Sequence, residues 1–228
     1  MVPPSPAVSE ERFHQEQWRP PPGATELVLV RHGASAVAIP GRPFPFVDGQ
    51  GDPPLSPEGR EQARRLAERL AGEPLTGLYV SPFSRTTETA EPIAATSGLE
   101  PMLMGDLREV HTGEFEGGEF RIRVARGDPL IARLFAEERW DVIPGAEPME
   151  AFEQRVASAT AAVVADAGPG SVLVVTHGAF IAEACHQATG SRPLAFVAVD
   201  NASITRVVAV GDGRWVLRSF NDTSHLRE

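Results

Sequence analysis

Two histidines of this chain each follow a short apolar run and are each followed by glycine. His32 comes after the run 27–30, with Arg31 between, and His177 comes directly after the run 171–176. Apolar runs of this length, bounded by polar residues and a turn, are typical of buried strands. In an open α/β sheet, ligands bind beyond the carboxyl ends of the strands. An imidazole there could attack phosphorus while the neighbouring guanidinium holds phosphate oxygens, although a histidine that only packs at the strand end is the alternative.

A second arginine lies at the predicted start of a helix. Ser84 is placed to cap a helix that begins at Arg85 and runs to about Thr96. The free N–H groups and the dipole of a first helical turn favour a bound anion. An arginine in that position opposes the dipole, and local conflicts of this kind are typical of functional sites. An ordinary surface arginine remains the alternative.

Predicted strands alternate with predicted helices around these residues. The predicted strands are 27–30, 75–80, 171–176 and 194–199, and a hairpin joins 203–210 to 215–220. The predicted helices are 57–71 with Ser56 as its cap, 85–96, 121–140 with a break at 127–129, 149–167, and 179–189. This alternation favours right-handed crossovers. We therefore predict a three-layer α/β domain over 25–228, with a mostly parallel central sheet flanked by helices, after a proline-rich tail over 1–24.

Composition limits the classes of partner. The chain has 228 residues and a formal charge of −10, which argues against nucleic acid and anionic membrane surfaces. No apolar stretch has membrane-spanning length, and the N-terminus lacks a signal-peptide pattern, so we expect a cytoplasmic protein. Cys185 is the only cysteine, and its alanine-rich surroundings predict a small core residue. Affinity for a phosphate would have to come from local arginines and backbone amides.

Five short segments in a fixed order carry a resemblance to a known family. They are 29–35, 52–59 with 62–63, 81–86 with 89–90, 107–109 with 113–117, and 175–178. Each segment is weak alone, but the ordered set resembles the histidine phosphatase superfamily, also called phosphoglycerate mutase-like, over roughly residues 26–206. The resemblance implies the phosphoglycerate mutase-like fold and a reaction that uses no metal or other cofactor, and the sequence shows no metal-ligand spacing of its own.

The resemblance also implies a role for each residue that matches the family pattern. His32 would be the phosphorylated nucleophile, and Arg31 and Arg85 would clamp the phosphate. His177 would donate to the phosphate, and Glu109 would protonate the leaving oxygen and then serve as base for water. Two further contributions are expected, a hydroxyl contact from Ser35 and support of the site by the segment Asn201-Ala202-Ser203.

Departures from the family pattern favour its phosphatase branch over its mutases. The run 34–39 lacks the tryptophan-asparagine pair of the mutases, and 113–117 resembles the phosphatase string with Phe115 in place of tryptophan. The segment between the predicted acid and the second histidine is also short for a mutase lid. We therefore expect a phosphomonoester hydrolase whose partner is a small phosphorylated metabolite. A phosphoglycerate mutase, a phosphohistidine or phosphoprotein phosphatase, an idle phosphate-binding module, and association into a homodimer stay open.

Two segments are expected to select the leaving group, namely the loop 34–54 and the cap 110–145. Their apolar members suggest partly apolar walls: Phe44, Phe46, Val47, Ile122, Val124, Leu130 and Leu134. Glu114, Glu116 and Glu119 are expected to be solvated loop charges. His111 is expected to lie at the surface.

Overall fold

The computed structural model describes residues 13–227, and strands alternate with helices along most of them. The strands are β1 Thr25–Arg31, β2 Phe46–Val47, β3 Gln50–Gly51, β4 Leu75–Val80, β5 Pro101–Leu103, β6 Gly170–Thr176, β7 Ile204–Gly211 and β8 Arg214–Asp222. The helices are α1 Pro57–Leu70, α2 Ser84–Ser97, α3 Glu119–Arg126, α4 Pro129–Glu137, α5 Met149–Ala167 and α6 Gly178–Thr189. Short 3₁₀ turns lie at Gly105–Leu107, Gly113–Phe115, Trp140–Val142 and Ser224–Leu226.

A six-stranded sheet in the order β5-β4-β6-β1-β7-β8 lies between two layers of helices. The first three pairs of neighbouring strands are parallel, and β7 and β8 continue the sheet antiparallel. Alternate residues of β1 face opposite layers. Leu27 and Leu29 pack in a cluster with α5 and α6, whereas Val28 and Val30 pack in a second cluster with α1 and α2. The predicted three-layer α/β architecture is confirmed, and the continuous apolar run of β1 reflects burial on both faces.

The two central parallel strands end at the same level. In the pairing of β1 with β6, Val30 lies opposite Val175 and Arg31 lies opposite Thr176. The backbone N–H of His32 then donates to the carbonyl of Thr176 at 3.0 Å. The residues that follow the two strands therefore leave the sheet side by side, as the sequence predicts.

The helix starts show one confirmed and one wrong prediction. The Ser56 hydroxyl caps α1, since it accepts a hydrogen bond from the Gly59 N–H at 3.1 Å. Ser84 does not cap α2; it is the first helical residue, and Phe83 precedes it without a side-chain cap. The Ser84 N–H and hydroxyl both donate to Asp52, so a carboxylate from the loop 34–54 does the capping.

The predicted strand 194–199 is also wrong. Leu194 and Val199 are buried, which explains the apolar signal, but the chain turns between them. The N–H of Val197 donates to the carbonyl of Leu194, and the N–H of Val199 donates to that of Val197. Strand β7 occupies the place beside β1, so these buried residues pack without joining the sheet.

The remaining segments agree with the sequence in outline. The loop 34–54 is long but contains the hairpin of β2 and β3. Cys185 is buried as expected, and burial raises its pKa to about 12. Of the predicted tail, residues 1–12 lie outside the described residues, and within the rest Trp18 packs under the guanidinium of Arg218, 4.7 Å from the ring centroid. Over residues 13–227, no helix is long and apolar enough to cross a membrane.

Candidate active site

The two histidines that follow β1 and β6 lie against each other at the end of the sheet. The ring centroids of His32 and His177 are 5.2 Å apart, with an interplanar angle of 63°. Both side chains are buried. The level strand ends thus place two imidazoles at one point, which is where ligands bind in sheets of this kind.

The hydrogen bonding of His32 defines its tautomer. Its Nδ1 lies 2.7 Å from the carbonyl oxygen of Gly33. Because a carbonyl can only accept, Nδ1 carries the proton and Nε2 keeps its lone pair. Burial, with the charges of Arg85 and Arg31, holds the pKa of His32 well below the ordinary value of 6.5. The imidazole is therefore neutral near pH 7, with a nucleophilic nitrogen.

His177 has a buried ring nitrogen for which the described residues supply no hydrogen-bond partner. Its Nε2 lies 2.8 Å from the hydroxyl oxygen of Ser81, and its buried Nδ1 has no hydrogen-bond partner within residues 13–227. The same is true of the buried Nε of Arg31. Burial and the charge of Arg85 lower the pKa of His177 well below 6.5. A bound anion would satisfy both orphaned groups, provided that Ser81 donates to Nε2 and Nδ1 bears the proton.

The partly buried guanidinium of Arg31 and the buried guanidinium of Arg85 complete the positive side of the site. Arg31 donates from Nη1 to the carbonyl of Val199, and its Nε has no hydrogen-bond partner within residues 13–227. Arg85, in the first turn of α2 as predicted, donates to the carbonyl of Gly51 at 3.1 Å and lies 3.5 Å from Asp52. Burial lowers the pKa of Arg85 to about 10, although Glu109 and Asp52 oppose the shift. The guanidinium therefore remains charged at neutral pH.

The Glu109 carboxylate sits at the N-terminus of α6, immediately beyond the second histidine. Its Oε1 accepts hydrogen bonds from the N–H groups of Val110, Ala179 and Phe180, at 3.1 to 3.3 Å. The Ala179 N–H also lies 3.3 Å from Oε2. Free N–H groups and the dipole at a helix start stabilise a carboxylate in this position. The side chain is thus fixed at the edge of the cavity that His32 lines.

Of the six predicted site residues, five come together and one is set apart. His32, His177, Arg31, Arg85 and Glu109 converge at the end of the sheet, from four separate parts of the sequence. The Ser35 hydroxyl instead accepts a hydrogen bond from Arg121 Nη2 at 2.6 Å, and Ser35 does not line the cavity. Its predicted contact with the substrate is therefore indirect in this arrangement.

Arg121 is a cavity residue that the sequence reasoning did not single out. It belongs to α3, where Arg123 and Arg126 follow it. Its guanidinium lies 5.7 Å from the ring centroid of Phe44. Only the contact of α3 with the loop 34–54 distinguishes this arginine from its neighbours, and no local sequence signal reports that contact.

Glu116 is not the solvated charge that the sequence favours. Its Oε2 accepts from the Gly51 N–H at 2.8 Å, and its Oε1 accepts from the N–H and hydroxyl of Thr112. The carboxylate therefore joins β3 to the segment that carries the predicted acid. Glu114 is exposed as expected, while Glu119 is half-buried and pairs with Arg123.

Asn201 supports the site from below, as the family pattern implies. Its side-chain amide donates to the carbonyl of His32 at 2.9 Å, and the N–H of Ala202 donates to the same oxygen at 3.2 Å. Ala202 has a φ of 54°, which is uncommon for a residue with a side chain. The backbone of His32 is thus held from the segment before β7 as well as from β6.

Comparisons with known proteins agree with this geometry. The model of the histidine phosphatase superfamily (branch 1) matches residues 27–223. Phosphoglycerate mutase-like protein 4 of Arabidopsis thaliana is 32% identical, over 97% of this chain and 94% of its own. The metal-independent phosphoserine phosphatase of the same plant is 30% identical, over 89% of this chain and 83% of its own. A crystal structure of a mutant phosphoserine phosphatase from Entamoeba histolytica, in complex with phosphoserine, superposes with a TM-score of 0.73 at 26% identity, covering 89% of this chain and 100% of that one.

The family match spans most of the chain, and the fold shared with the solved structure covers 89% of this chain. The resemblance of five ordered segments and the predicted fold class are both confirmed. Relatives named as mutases and relatives named as phosphatases both occur at similar identity. The chain therefore belongs to the histidine phosphatase superfamily, in its branch 1, and has phosphatase enzymes among its relatives.

Proposed function

We propose that this protein is a metal-independent phosphomonoester hydrolase that works through a phosphohistidine at His32. The observation that carries the proposal is a neutral imidazole with a free Nε2 beside two buried, unpartnered groups, His177 Nδ1 and Arg31 Nε. A phosphate dianion supplies acceptors for both groups. Phosphoryl transfer needs mainly a positioned nucleophile and positive charge around the equatorial oxygens.

In the first step, His32 Nε2 forms a bond to phosphorus and the bond from phosphorus to the leaving oxygen breaks. Glu109, once it has bound a proton, gives that proton to the leaving oxygen, so the product leaves as a neutral alcohol. Oε2 is suited to this exchange, because within residues 13–227 Oε1 already accepts three N–H groups. The Gly33 carbonyl holds the Nδ1 proton throughout and stabilises the positive charge on the phosphorylated ring.

In the second step, a water molecule attacks the phosphohistidine. Glu109 takes a proton from the water as the new bond to phosphorus forms and the bond to Nε2 breaks. Inorganic phosphate leaves, and both groups return to their starting protonation states. Arg31, Arg85 and His177 hold the phosphoryl oxygens during both steps, which is the role that their convergence favours.

A phosphoglycerate mutase is the second candidate, because relatives of similar identity carry that name. The steps up to formation of the phosphohistidine would be the same as in the hydrolase, but the phosphoryl group would then return to an organic hydroxyl. Incubation with 3-phosphoglycerate separates the two activities. A hydrolase releases inorganic phosphate and glycerate, and a mutase yields 2-phosphoglycerate without net phosphate release.

The test of the mechanism is direct detection of the intermediate. The protein is mixed with a generic phosphate ester, quenched without acid, digested and examined by mass spectrometry. We expect phosphate on His32, no phosphate in His32→Ala, and unchanged labelling in the control His14→Ala, whose side chain is exposed. Turnover that survives in His32→Ala would refute the mechanism.

A further inference from the structure

The cavity that opens from His32, Arg31 and Arg85 has a polar end and a largely aromatic remainder. Its volume is about 490 Å³. Away from the histidines its walls are formed by Phe44, Phe115, Phe120, Val124, Phe135 and Trp140. Cavities of this size accommodate ligands much larger than a phosphate group alone. The leaving group, and not the phosphate, therefore determines what fills this space.

Two of these apolar side chains are exposed to water in the free protein. Val124 is 46% exposed and Phe135 is 48% exposed, although both belong to amphipathic helices with buried faces of their own. Deeper in the cavity, the rings of Phe120 and Trp140 lie 5.9 Å apart in a tilted arrangement. Another ring could join such a pair in an offset or edge-on contact. An apolar leaving group would cover side chains that otherwise remain hydrated.

Charged groups for binding the leaving group are scarce among the described residues that line the cavity. Apart from the groups assigned to the phosphate and Glu109, these are Glu116 and Arg121. Both oxygens of Glu116 already accept hydrogen bonds, and Arg121 donates to the Ser35 hydroxyl and to the Ala36 carbonyl. A leaving group that carries an ammonium would lose its hydration here without meeting a carboxylate free of other hydrogen bonds, which is costly.

We propose that the preferred substrates are phosphate monoesters whose leaving group is uncharged and carries an aromatic ring. This inference rests on the proposed hydrolase function, because it identifies what that site accepts. The proposed substrates differ from phosphoserine, the substrate named for the phosphoserine phosphatases among the relatives of this chain. The specificity arises from α3, α4 and the loop 34–54, and the phosphate end of the site stays the same.

The test compares substrates that have or lack the aromatic ring but differ little in intrinsic reactivity. We measure kcat/KM for 2-phenylethyl phosphate, ethyl phosphate and phosphoserine, since the first two are esters of simple primary alcohols. The expected advantage of 2-phenylethyl over ethyl phosphate is on the order of 30-fold, because one ring leaves water. Phosphoserine should be a poorer substrate than 2-phenylethyl phosphate. Equal kcat/KM values for the two alkyl esters, or a preference for phosphoserine, would overturn the inference.

Substitutions at the mouth of the cavity test whether its apolar walls cause the preference for the aromatic leaving group. Val124→Ser with Phe135→Ser should reduce the kcat/KM advantage of 2-phenylethyl phosphate over ethyl phosphate several-fold, because both exposed side chains line the cavity. The matched control, Met102→Ser with Leu103→Ser, changes two exposed apolar residues on the edge strand β5. It should not change kcat/KM for either substrate. A preference that survives the mouth variant intact would contradict the assignment to these walls.

A binding measurement separates this inference from the mechanism. Calorimetric titration with 2-phenylethylphosphonate and ethylphosphonate, which cannot be hydrolysed, measures the affinity of the cavity for each compound without any turnover. Tighter binding of the phenyl compound supports the apolar cavity even in a protein that shows no phosphohistidine. Phosphohistidine formation with equal affinities for the two phosphonates would refute the cavity argument and leave the hydrolase proposal standing.

Discussion

The two buried imidazoles should make the folded protein sensitive to mild acid. His32 and His177 are both neutral in the folded state, because burial and nearby guanidinium groups depress their pKa values well below 6.5. In the unfolded chain each histidine titrates near the ordinary value of about 6.5. Between the folded and unfolded pKa values the unfolded state binds more protons, so the free energy of unfolding falls as the pH falls.

The size of the effect follows from the unfolded pKa when the folded pKa lies below the range studied. Between pH 7.5 and pH 5.5, protonation of one such histidine in the unfolded chain removes about 1.4 kcal/mol of stability. Two histidines remove about 3 kcal/mol in total, which is a large part of the 5–15 kcal/mol typical of a folded domain. About three quarters of the loss falls below pH 6.5.

Urea unfolding at pH 7.5, 6.5 and 5.5, in phosphate-free buffer, measures this loss. Phosphate is omitted because a ligand that binds only the folded state would add its own stabilisation. The double variant His32→Asn with His177→Asn should lose about 3 kcal/mol less than the parent protein over this range, and each single variant about half of that difference. The control His14→Asn should follow the parent protein. If the double variant and the parent lose the same stability between pH 7.5 and 5.5, the two imidazoles are not held neutral by burial, and the reasoning fails.

Three further substitutions test the remaining contacts. Glu109→Gln should lower kcat/KM for alkyl phosphates by about 10²–10⁴-fold but affect p-nitrophenyl phosphate far less, because nitrophenolate leaves without a proton; equal losses for the two esters would contradict its role as acid. Asp52→Asn should lower kcat/KM by about tenfold or more with little change in Tm, since Asp52 positions the start of α2 and the Arg85 guanidinium; unaltered steady-state kinetics would show that this positioning is dispensable. Gly33→Ala should destabilise the fold by about 1–3 kcal/mol in urea unfolding, because a Cβ there would lie 2.5 Å from the carbonyl oxygen of Gly59; an unchanged midpoint would show that the backbone can move apart.

The sequence predicts well that the two histidines lie side by side, and the reason is physical. His32 and His177 follow apolar runs whose burial on both faces gives a strong signal, and parallel pairing leaves the strand ends few arrangements. Arg85 was predictable in position, although its helix is capped by Asp52 rather than by Ser84. That difference depends on a contact between residues 32 positions apart, which no local pattern encodes.

The cavity walls were harder to predict, because they depend on long-range contacts. Arg121 and Glu116 look like ordinary surface charges, and only the folding of 34–54 against the cap gives them their partners. The run 194–199 has the apolar content of a strand, yet its buried side chains pack while its backbone turns. Apolar content reports burial more directly than it reports backbone shape. The apolar character expected for the leaving-group segments is present in the cavity, at Phe44 and Val124 among others.

Because β1 and β6 end side by side, the substrate specificity of such an enzyme can evolve separately from its reaction. The two histidines proposed to act on phosphate follow the deeply buried strands β1 and β6, whereas the outer walls of the cavity belong largely to α3, α4 and the loop 34–54. Insertions or replacements in those outer segments can therefore redirect the enzyme to new esters without disturbing the reaction itself. The opposite holds for the strands, where a shift of one residue in pairing would turn one histidine away from the other and abolish turnover for every ester at once.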